Sequence, residues 1–140
     1  MAQGIAMTAA DHDQGIATIP SAGSVSASLD RLELLAKSKG MVIFSRIDFS
    51  KDAAAAGMQL RRMQLLILGN PKSGTPLMQA VGSTALDLPL KVLAWEDDAG
   101  ACHMSFNRPE YLQRRHGFPA ALLANIAGLT SLVETAAKSG

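Results

Sequence analysis

The chain is organised around an aliphatic run that breaks abruptly into a loop. The run is Leu65–Leu68, and the loop that follows it, Gly69–Met78, contains two glycines and two prolines. An all-aliphatic run is typical of a central strand with both faces covered, and glycine with proline indicates a turn of defined shape. Within this turn we expect Thr75 to cap a short helix from Pro76 to Gln79. Shaped loops on rigid strands often carry binding sites, so we expect the ligand site here.

The rest of the chain alternates between strand and helix periodicity. Ser24 stands where a helix N-cap is expected, and Gly40 ends the helix that follows. Helical spacing returns in residues 109–116, which Gly117 ends, and in a last helix that Pro119 begins. The predicted strands are 15–19, 41–49, 63–68, 88–95 and 101–106. These elements predict an α+β fold with helices on one face of a mostly antiparallel sheet.

Composition narrows the classes of function. The chain has 140 residues and a net charge of +1, without the clustered basic residues that neutralise phosphates, so we expect no nucleic-acid partner. The single cysteine, Cys102, fits a reducing compartment, and no apolar run is long enough to span a bilayer. With no recognisable signal peptide, we expect a cytoplasmic protein and no membrane partner. We predict a flexible tail over residues 1–14 and a single domain over 15–140.

Three segments resemble one known family. Ala53–Gly57, Gly69–Met78 (GNPKSGTPLM) and Leu86–Leu93 (LDLPLKVL) are similar to the family named domain of unknown function 302. The resemblance extends from about Ser24 to Phe118. It implies a two-layer fold of the β-α-β4-α type that associates as a homodimer, and it implies no established activity.

The Gly69–Met78 loop has the outline of a phosphate-binding loop, in which backbone N–H groups hold an anion. The lysine that follows the second glycine of such a loop is absent, and Lys72 lies inside the loop instead. Pro71 and Pro76 also remove two backbone donors, so we do not predict nucleotide hydrolysis. Two interpretations stay open. The loop holds a carboxylate or phosphate of a small ligand, or it is a rigid turn that positions two strands or a subunit contact.

Acidic side chains near strand ends are the candidates for acid–base catalysis. A pair of these carboxylates, if folding brings them together, would suit that chemistry, and the candidates are Asp48, Asp87, Glu96 and Asp97. Asp87 is more simply a turn residue that accepts a backbone hydrogen bond, and we expect Arg46 and Asp48, on one face of their strand, to face water. Members of the resembled family commonly carry a histidine where this chain has Phe49. An activity that needs this histidine would be lost or altered here.

Metal binding and nucleophilic catalysis have little support in the sequence. Cys102 and His103 are adjacent on a predicted strand, so their side chains point to opposite faces and cannot share one ion. We predict no metal site and no cofactor. We expect His116 to meet the negative pole of the helix that it ends. Trp95, at a strand end, either walls a pocket or caps the core.

Three hypotheses about function follow from these observations. The leading one is a homodimeric domain that binds a small molecule, with a site made of Asp48, Gly69, Asn70, Lys72, Gly74, Thr75, Met78 and Asp87. The second is an enzyme that uses strand-end carboxylates for acid–base chemistry. The third is a structural or partner-binding module. The identity of the ligand is left open by all three.

Overall fold

The computed structural model describes residues 14–138. The strands in this part are β1 (Ile16–Pro20), β2 (Val42–Asp48), β3 (Met63–Gly69), β4 (Leu90–Glu96) and β5 (Cys102–Asn107). The helices are α1 (Val25–Ser38), α2 (Phe49–Ala55), α3 (Pro71–Ala80), α4 (Pro109–His116) and α5 (Ala124–Ala137). Short 3₁₀ helices at Gly82–Asp87 and Ala120–Leu122 precede β4 and α5. The predicted tail, apart from residue 14, lies outside the described residues.

The five strands form one sheet in the order β1-β5-β4-β3-β2, and every neighbouring pair is antiparallel. The aliphatic run lies in β3, between β2 and β4, as its composition predicts. β4 and β5 form the predicted hairpin, in which Glu96 pairs with Cys102. A register shift between Ile43 and Ser45 interrupts the pairing of β2 with β3. By the strand order, the two edge strands of the sheet are β1 and the irregular β2.

The helices cover one face of the sheet. Side chains on that face are almost fully buried, among them Leu66, Leu68, Val92, Ala94 and Met104. α1 and α5 supply the opposing layer with Leu29, Leu32, Ile126, Leu129 and Val133. The opposite face of the sheet carries Leu65, Ile67, Leu93 and Trp95, which are only half-buried. The predicted class, a two-layer α+β fold with helices on one face of an antiparallel sheet, is confirmed.

Arg46 of β2 reaches across to α1 rather than into water. Its guanidinium Nη1 lies 2.7 Å from Asp30 Oδ1 and 2.9 Å from Glu33 Oε2. Its Nη2 also donates to the carbonyl oxygen of Ser26, at 3.0 Å. Partial burial lowers the pKa of Arg46, but the hydrogen bonds to the two carboxylates outweigh it and raise this pKa. The prediction that Arg46 faces water is wrong, because α1 places two carboxylates beside the edge strand.

The segment that follows β3 is a helix and not a loop. α3 begins at Pro71, and Asn70 is its N-cap, with its side-chain oxygen accepting from the Lys72 N–H at 2.9 Å. The prediction that Thr75 caps a helix starting at Pro76 is therefore wrong. Pro71 occupies the first helical position, where a missing N–H costs nothing, and Pro76 sits inside the helix. Two prolines close together predict a turn, but Pro71 is compatible with the first helical position and only Pro76 opposes the helix.

The C-terminal part follows the prediction with one shift of boundary. α4 spans the predicted residues, and Gly117 ends it in the left-handed conformation, with a φ of 74°. Pro119 begins a 3₁₀ turn rather than the last helix itself, and α5 starts at Ala124. Ile126, Leu129 and Val133 of this helix are buried, whereas Leu122 lies in the 3₁₀ turn and is only half-buried.

Candidate functional site

A cleft lies where the ends of β2, β3 and β4 meet the helical layer. Its volume is about 680 Å³, within the range of small-molecule sites. Apolar lining side chains include Leu35, Met41, Phe44, Met78, Pro89 and Leu132. Polar lining residues include Lys39, Asn70, Ser73, Thr75, Asn125 and Ser131. The lining is thus mainly apolar and also carries hydroxyl, amide and ammonium groups.

Two glycines of the cleft lie beside the segment that precedes β4. A Cβ on Gly69, the last residue of β3, would stand 3.4 Å from Pro89 Cβ and 3.7 Å from Phe44 Cε2. A Cβ on Gly74 of α3 would stand 3.6 Å from Leu88 Cδ1. The peptide bond between Leu88 and Pro89 is cis. Both glycines of the sequence motif are therefore at positions where the segment before β4 packs closely.

The N-terminus of α3 has few donors to offer an anion. Pro71 has no N–H, and the Lys72 N–H is bonded to the Asn70 side chain. The N–H groups of Ser73 and Gly74 both donate to the Asn70 carbonyl oxygen, at 2.9 and 2.8 Å. The first turn therefore satisfies its own donors, and the arrangement differs from a phosphate-binding loop, in which such groups point at the ligand.

α5 forms the wall opposite α3. Asn125 Nδ2 donates to the Ser73 carbonyl oxygen at 3.0 Å and so ties the two helices together. One turn further on, Gly128 leaves the wall open, since a Cβ built there has no heavy atom within 4 Å. Gly128 weakens a helix by about 1 kcal/mol relative to alanine. At this position it also leaves free volume beside Leu129 and Leu132, which line the same cleft.

Asp48 lies away from the cleft and has a local role. It is the N-cap of α2, and its Oδ1 accepts from Ser50 Oγ at 2.6 Å and from the Lys51 N–H at 2.9 Å. These two hydrogen bonds, that of Ser50 first, hold the pKa of Asp48 below its ordinary value. Phe49, the position at which the family resemblance implies a histidine, is the first residue of the same helix.

Asp87 belongs to a cluster at the end of the first 3₁₀ helix. His116 Nε2 lies 2.5 Å from Asp87 Oδ2, and Arg115 Nη1 donates to the same oxygen at 2.9 Å. The other imidazole nitrogen, Nδ1, lies 2.9 Å from Ser83 Oγ. Asp87 was expected to be a turn residue that accepts a backbone hydrogen bond, but the partners found for it are side chains of α4. The cluster anchors the segment that continues as Leu88 and Pro89 into the cleft wall.

The uncovered face of the sheet has its own group of polar side chains. Ser105 Oγ lies 2.8 Å from Thr18 Oγ1 and accepts from Trp95 Nε1 at 2.8 Å. His103 stacks on Trp95 with a centroid distance of 4.8 Å, and its Nε2 lies 2.7 Å from Asp97 Oδ2. The hydrogen bond from His103, followed by that from the Ala101 N–H, lowers the pKa of Asp97. Trp95 therefore neither walls the cleft nor caps the core.

Five of the eight residues predicted for the ligand site line the cleft, namely Gly69, Asn70, Gly74, Thr75 and Met78. The other three, Asp48, Lys72 and Asp87, do not line it. Sequence reasoning missed the contribution of α1 and α5, which includes Leu35, Lys39, Asn125 and Gly128. Gly128, a glycine inside the last helix, is the available signal, since it marks a position with space beside the helix.

The candidate catalytic carboxylates are dispersed. Asp48 caps α2, Asp87 is held by α4, and Glu96 ends β4. Within residues 14–138, no three His, Cys, Asp or Glu side chains are placed to hold one metal ion. Cys102 is buried, while the adjacent His103 lies on the uncovered face, as strand alternation predicts.

The fold and the cleft define a class of protein, a two-layer α+β domain with an apolar cleft between its helices and its strand ends. Within that class, the chain belongs to the family described as domain of unknown function DUF302, whose model matches residues 17–136. A crystal structure of an uncharacterised conserved DUF302 protein from Bacillus stearothermophilus is similar, with a TM-score of 0.73 and 16% sequence identity. The similarity covers 88% of this chain and 95% of that one, and it shows the fold.

Two curated proteins are similar in sequence over most of this chain. The chain is 38% identical over 129 residues to "Fluoride-specific ion channel FluC 1" of Brucella suis biovar 1 and to the protein of the same name in Brucella abortus biovar 1. The match covers 89% of this chain but 51% and 48% of those proteins, so the chain spans about half of their length. Among the described helices, none has the length and apolar character needed to cross a bilayer.

Proposed function

We propose that the chain is a cytoplasmic domain, formed by residues 15–140, that binds a small, largely apolar molecule in the cleft between α3 and α5. The observation that carries this proposal is the cleft itself, about 680 Å³ of concave space lined mainly by apolar side chains. Asp48, Lys72 and Asp87, predicted for the site, take supporting places around this cleft in the proposal: Asp48 caps α2, Lys72 lies in the first turn of α3, and Asp87 anchors the segment before Pro89.

The hydrogen bonds around the cleft support a preformed site. Asn70 and Asn125 use side-chain atoms to fix α3 at its start and against α5. Leu77 of α3 is fully buried and Met78, the next residue, lines the cleft. A rigid frame with an apolar interior lowers the entropic cost of holding a ligand. The exposed apolar surface of Phe44, 50% accessible, is then part of the ligand's contact area.

The proposal is tested by filling the cleft. Gly128→Leu adds a side chain at a position where a Cβ meets nothing within 4 Å, so the variant is expected to fold. Glu134→Leu, on the exposed side of the same helix, is the matched control. In a thermal-shift titration with a metabolite library, hits are expected to stabilise the parent chain and Glu134→Leu but not Gly128→Leu. Hits that stabilise all three equally would contradict the assignment of the site.

We further propose that two copies associate through the uncovered face of the sheet. The family resemblance implies a homodimer, and this face presents the half-buried Leu65, Ile67, Leu93 and Trp95. Its polar side chains are bonded to each other, as Ser105 is to Thr18 and Trp95. Burial of the face by a second copy would thus leave few unpaired polar groups, which is the main cost of burying a sheet surface. Light scattering coupled to gel filtration tests it, and a strict monomer at high concentration contradicts it.

A second candidate function follows from the names of the curated relatives. We propose as the alternative that the domain acts beside a fluoride channel, since the two Brucella proteins carry that name and this chain spans about half of each. The test is co-expression with a fluoride channel and purification of the channel in detergent. Co-elution of the chain supports this function, and separate elution contradicts it.

A further inference from the structure

The charge of the cleft restricts the ligand further. Among the described residues that line it there is no aspartate or glutamate, and Lys39 is the one charged side chain in this set. Lys39 is the C-cap residue of α1 and is exposed at the rim. Within residues 14–138 the Lys39 ammonium group has no ion-pair partner. The neighbouring Lys37 does have one, because its Nζ lies 3.7 Å from Glu33 Oε1. The rim of an apolar cleft therefore carries one uncompensated positive charge.

Three of the other polar side chains of the lining already make hydrogen bonds to the backbone. The Asn70 side chain accepts from Lys72, the Asn125 side chain donates to Ser73, and Thr135 Oγ1 donates to the Ser131 carbonyl oxygen at 2.9 Å. A ligand deep in the cleft thus meets mainly apolar surface. Its polar group loses the least hydration free energy if it stays at the rim.

The carbonyl groups at the end of α1 already have backbone donors and do not need the Lys39 ammonium group. The Ala36 carbonyl oxygen accepts from the N–H groups of Lys39 and Met41, at 3.0 Å each, and the Lys37 carbonyl oxygen accepts from Gly40 at 3.0 Å. The final turn of the helix therefore pairs these carbonyl groups internally, as a closed helix end does. The Lys39 ammonium group remains available to an anion from solution.

We propose that the ligand is an amphipathic monoanion, an apolar body with one carboxylate or sulfonate that pairs with Lys39. The inference rests on the proposed function, since it requires that the cleft binds a small molecule. It also excludes apolar amines, which would place a cation beside Lys39 without an acidic partner among the lining residues. An ion pair at an exposed rim contributes roughly 1 kcal/mol, so the carboxylate is expected to improve affinity about fivefold.

The experiment compares decanoate with decanol, which have the same chain length but differ in charge. Displacement of the neutral dye Nile red is measured on the parent chain, Lys39→Met and the matched control Lys37→Met. We expect decanoate to displace the dye at about fivefold lower concentration than decanol on the parent chain and on Lys37→Met. This preference should disappear in Lys39→Met and at high salt, because salt screens an exposed pair.

Gly128→Leu separates the two possible failures. If decanoate and decanol displace the dye equally from the parent chain, and this displacement is lost in Gly128→Leu, the cleft binds apolar molecules but the inferred anion is wrong. If neither ligand displaces the dye, or if Gly128→Leu leaves the displacement unchanged, both the proposed function and this inference are contradicted.

Discussion

The cleft and the uncovered face of the sheet are both apolar surfaces, and they differ in what their polar groups do. In the cleft, Asn70 and Asn125 bond to backbone atoms and fix the positions of the walls. On the sheet face, Ser105 and Trp95 bond to one another, so the polar groups lie flat within the surface. The hydrogen bonds of the cleft keep its concave shape, and those of the sheet face leave a surface whose polar groups are already paired if it is buried. Concave apolar surfaces suit small ligands, and flat ones suit a second protein surface.

The largest expected effect concerns the flat region. Leu93→Lys places a charge near the centre of the sheet face, beside Leu65 of the neighbouring strand. An unpaired charge in a dimer contact costs several kcal/mol, so association is expected to weaken by at least about a hundredfold. Leu86→Lys, at a side chain that is 71% exposed in the 3₁₀ helix, is the control and should not change the mass measured by light scattering. Equal masses for the parent and Leu93→Lys would show that the dimer, if present, uses another surface.

The next effect concerns the frame of the cleft. Asn70→Ala removes the N-cap of α3 and is expected to lower the free energy of unfolding by about 1 kcal/mol. Asn70→Asp keeps an acceptor for the Lys72 N–H and should retain most of the stability. Urea denaturation measures both variants. If Asn70→Ala is as stable as the parent chain, the cap does not hold the wall of the cleft.

A smaller effect, of opposite sign, is expected at the open wall. Gly128→Ala should raise the free energy of unfolding by about 0.5–1 kcal/mol, because alanine favours the helix and its Cβ has space. The same change at Gly117, whose φ is 74°, should destabilise the chain and serves as the contrast. A loss of stability in Gly128→Ala would mean that this position is occupied, for instance by a second subunit.

The smallest effect is a dependence on pH at the rim of the sheet face. Hydrogen bonds from His103 and the Ala101 N–H hold the pKa of Asp97 below 3.8, its ordinary value. A depressed carboxylate pKa contributes stability above the unfolded value and loses it as the pH falls through the folded value. Between about pH 5 and pH 2, the parent chain should therefore lose more stability than Asp97→Asn. Identical acid-unfolding curves for the two chains would contradict the claim that these hydrogen bonds to Asp97 stabilise the folded chain.

The sequence predicted the sheet and its helices well because their signals are local. Ser24 was recognised as a cap, and its side chain accepts from the Ala27 N–H at 3.0 Å. The aliphatic run of β3 and the glycine after α4 were equally direct signals. The start of α3 was mispredicted because Pro71 looks the same in a turn and at the first position of a helix. The Asn70 hydrogen bond decides between them, and it is a property of the folded chain.

The candidate site was harder to predict than the fold. The glycine and threonine residues after β3 indicated one wall of the cleft, but the opposite wall comes from α5, more than fifty residues further along the chain. Its contact with α3 through Asn125 has no signature in sequence spacing. In the same way, the partners of Asp87 and Arg46 lie on distant helices. Local periodicity shows which residues face the core, while the pairing of polar side chains depends on how the layers stack.

The central claim is that the concave region, and not the flat one, receives the small molecule. A titration of the isotope-labelled chain with decanol, a neutral apolar probe, tests it through the amide resonances of each residue. The account predicts that resonances of Gly69, Gly74 and Gly128 shift with a common saturation curve, while those of Leu65 and Leu93 stay in place. Shifts confined to Leu65 and Leu93, with the three glycines unchanged, would contradict it.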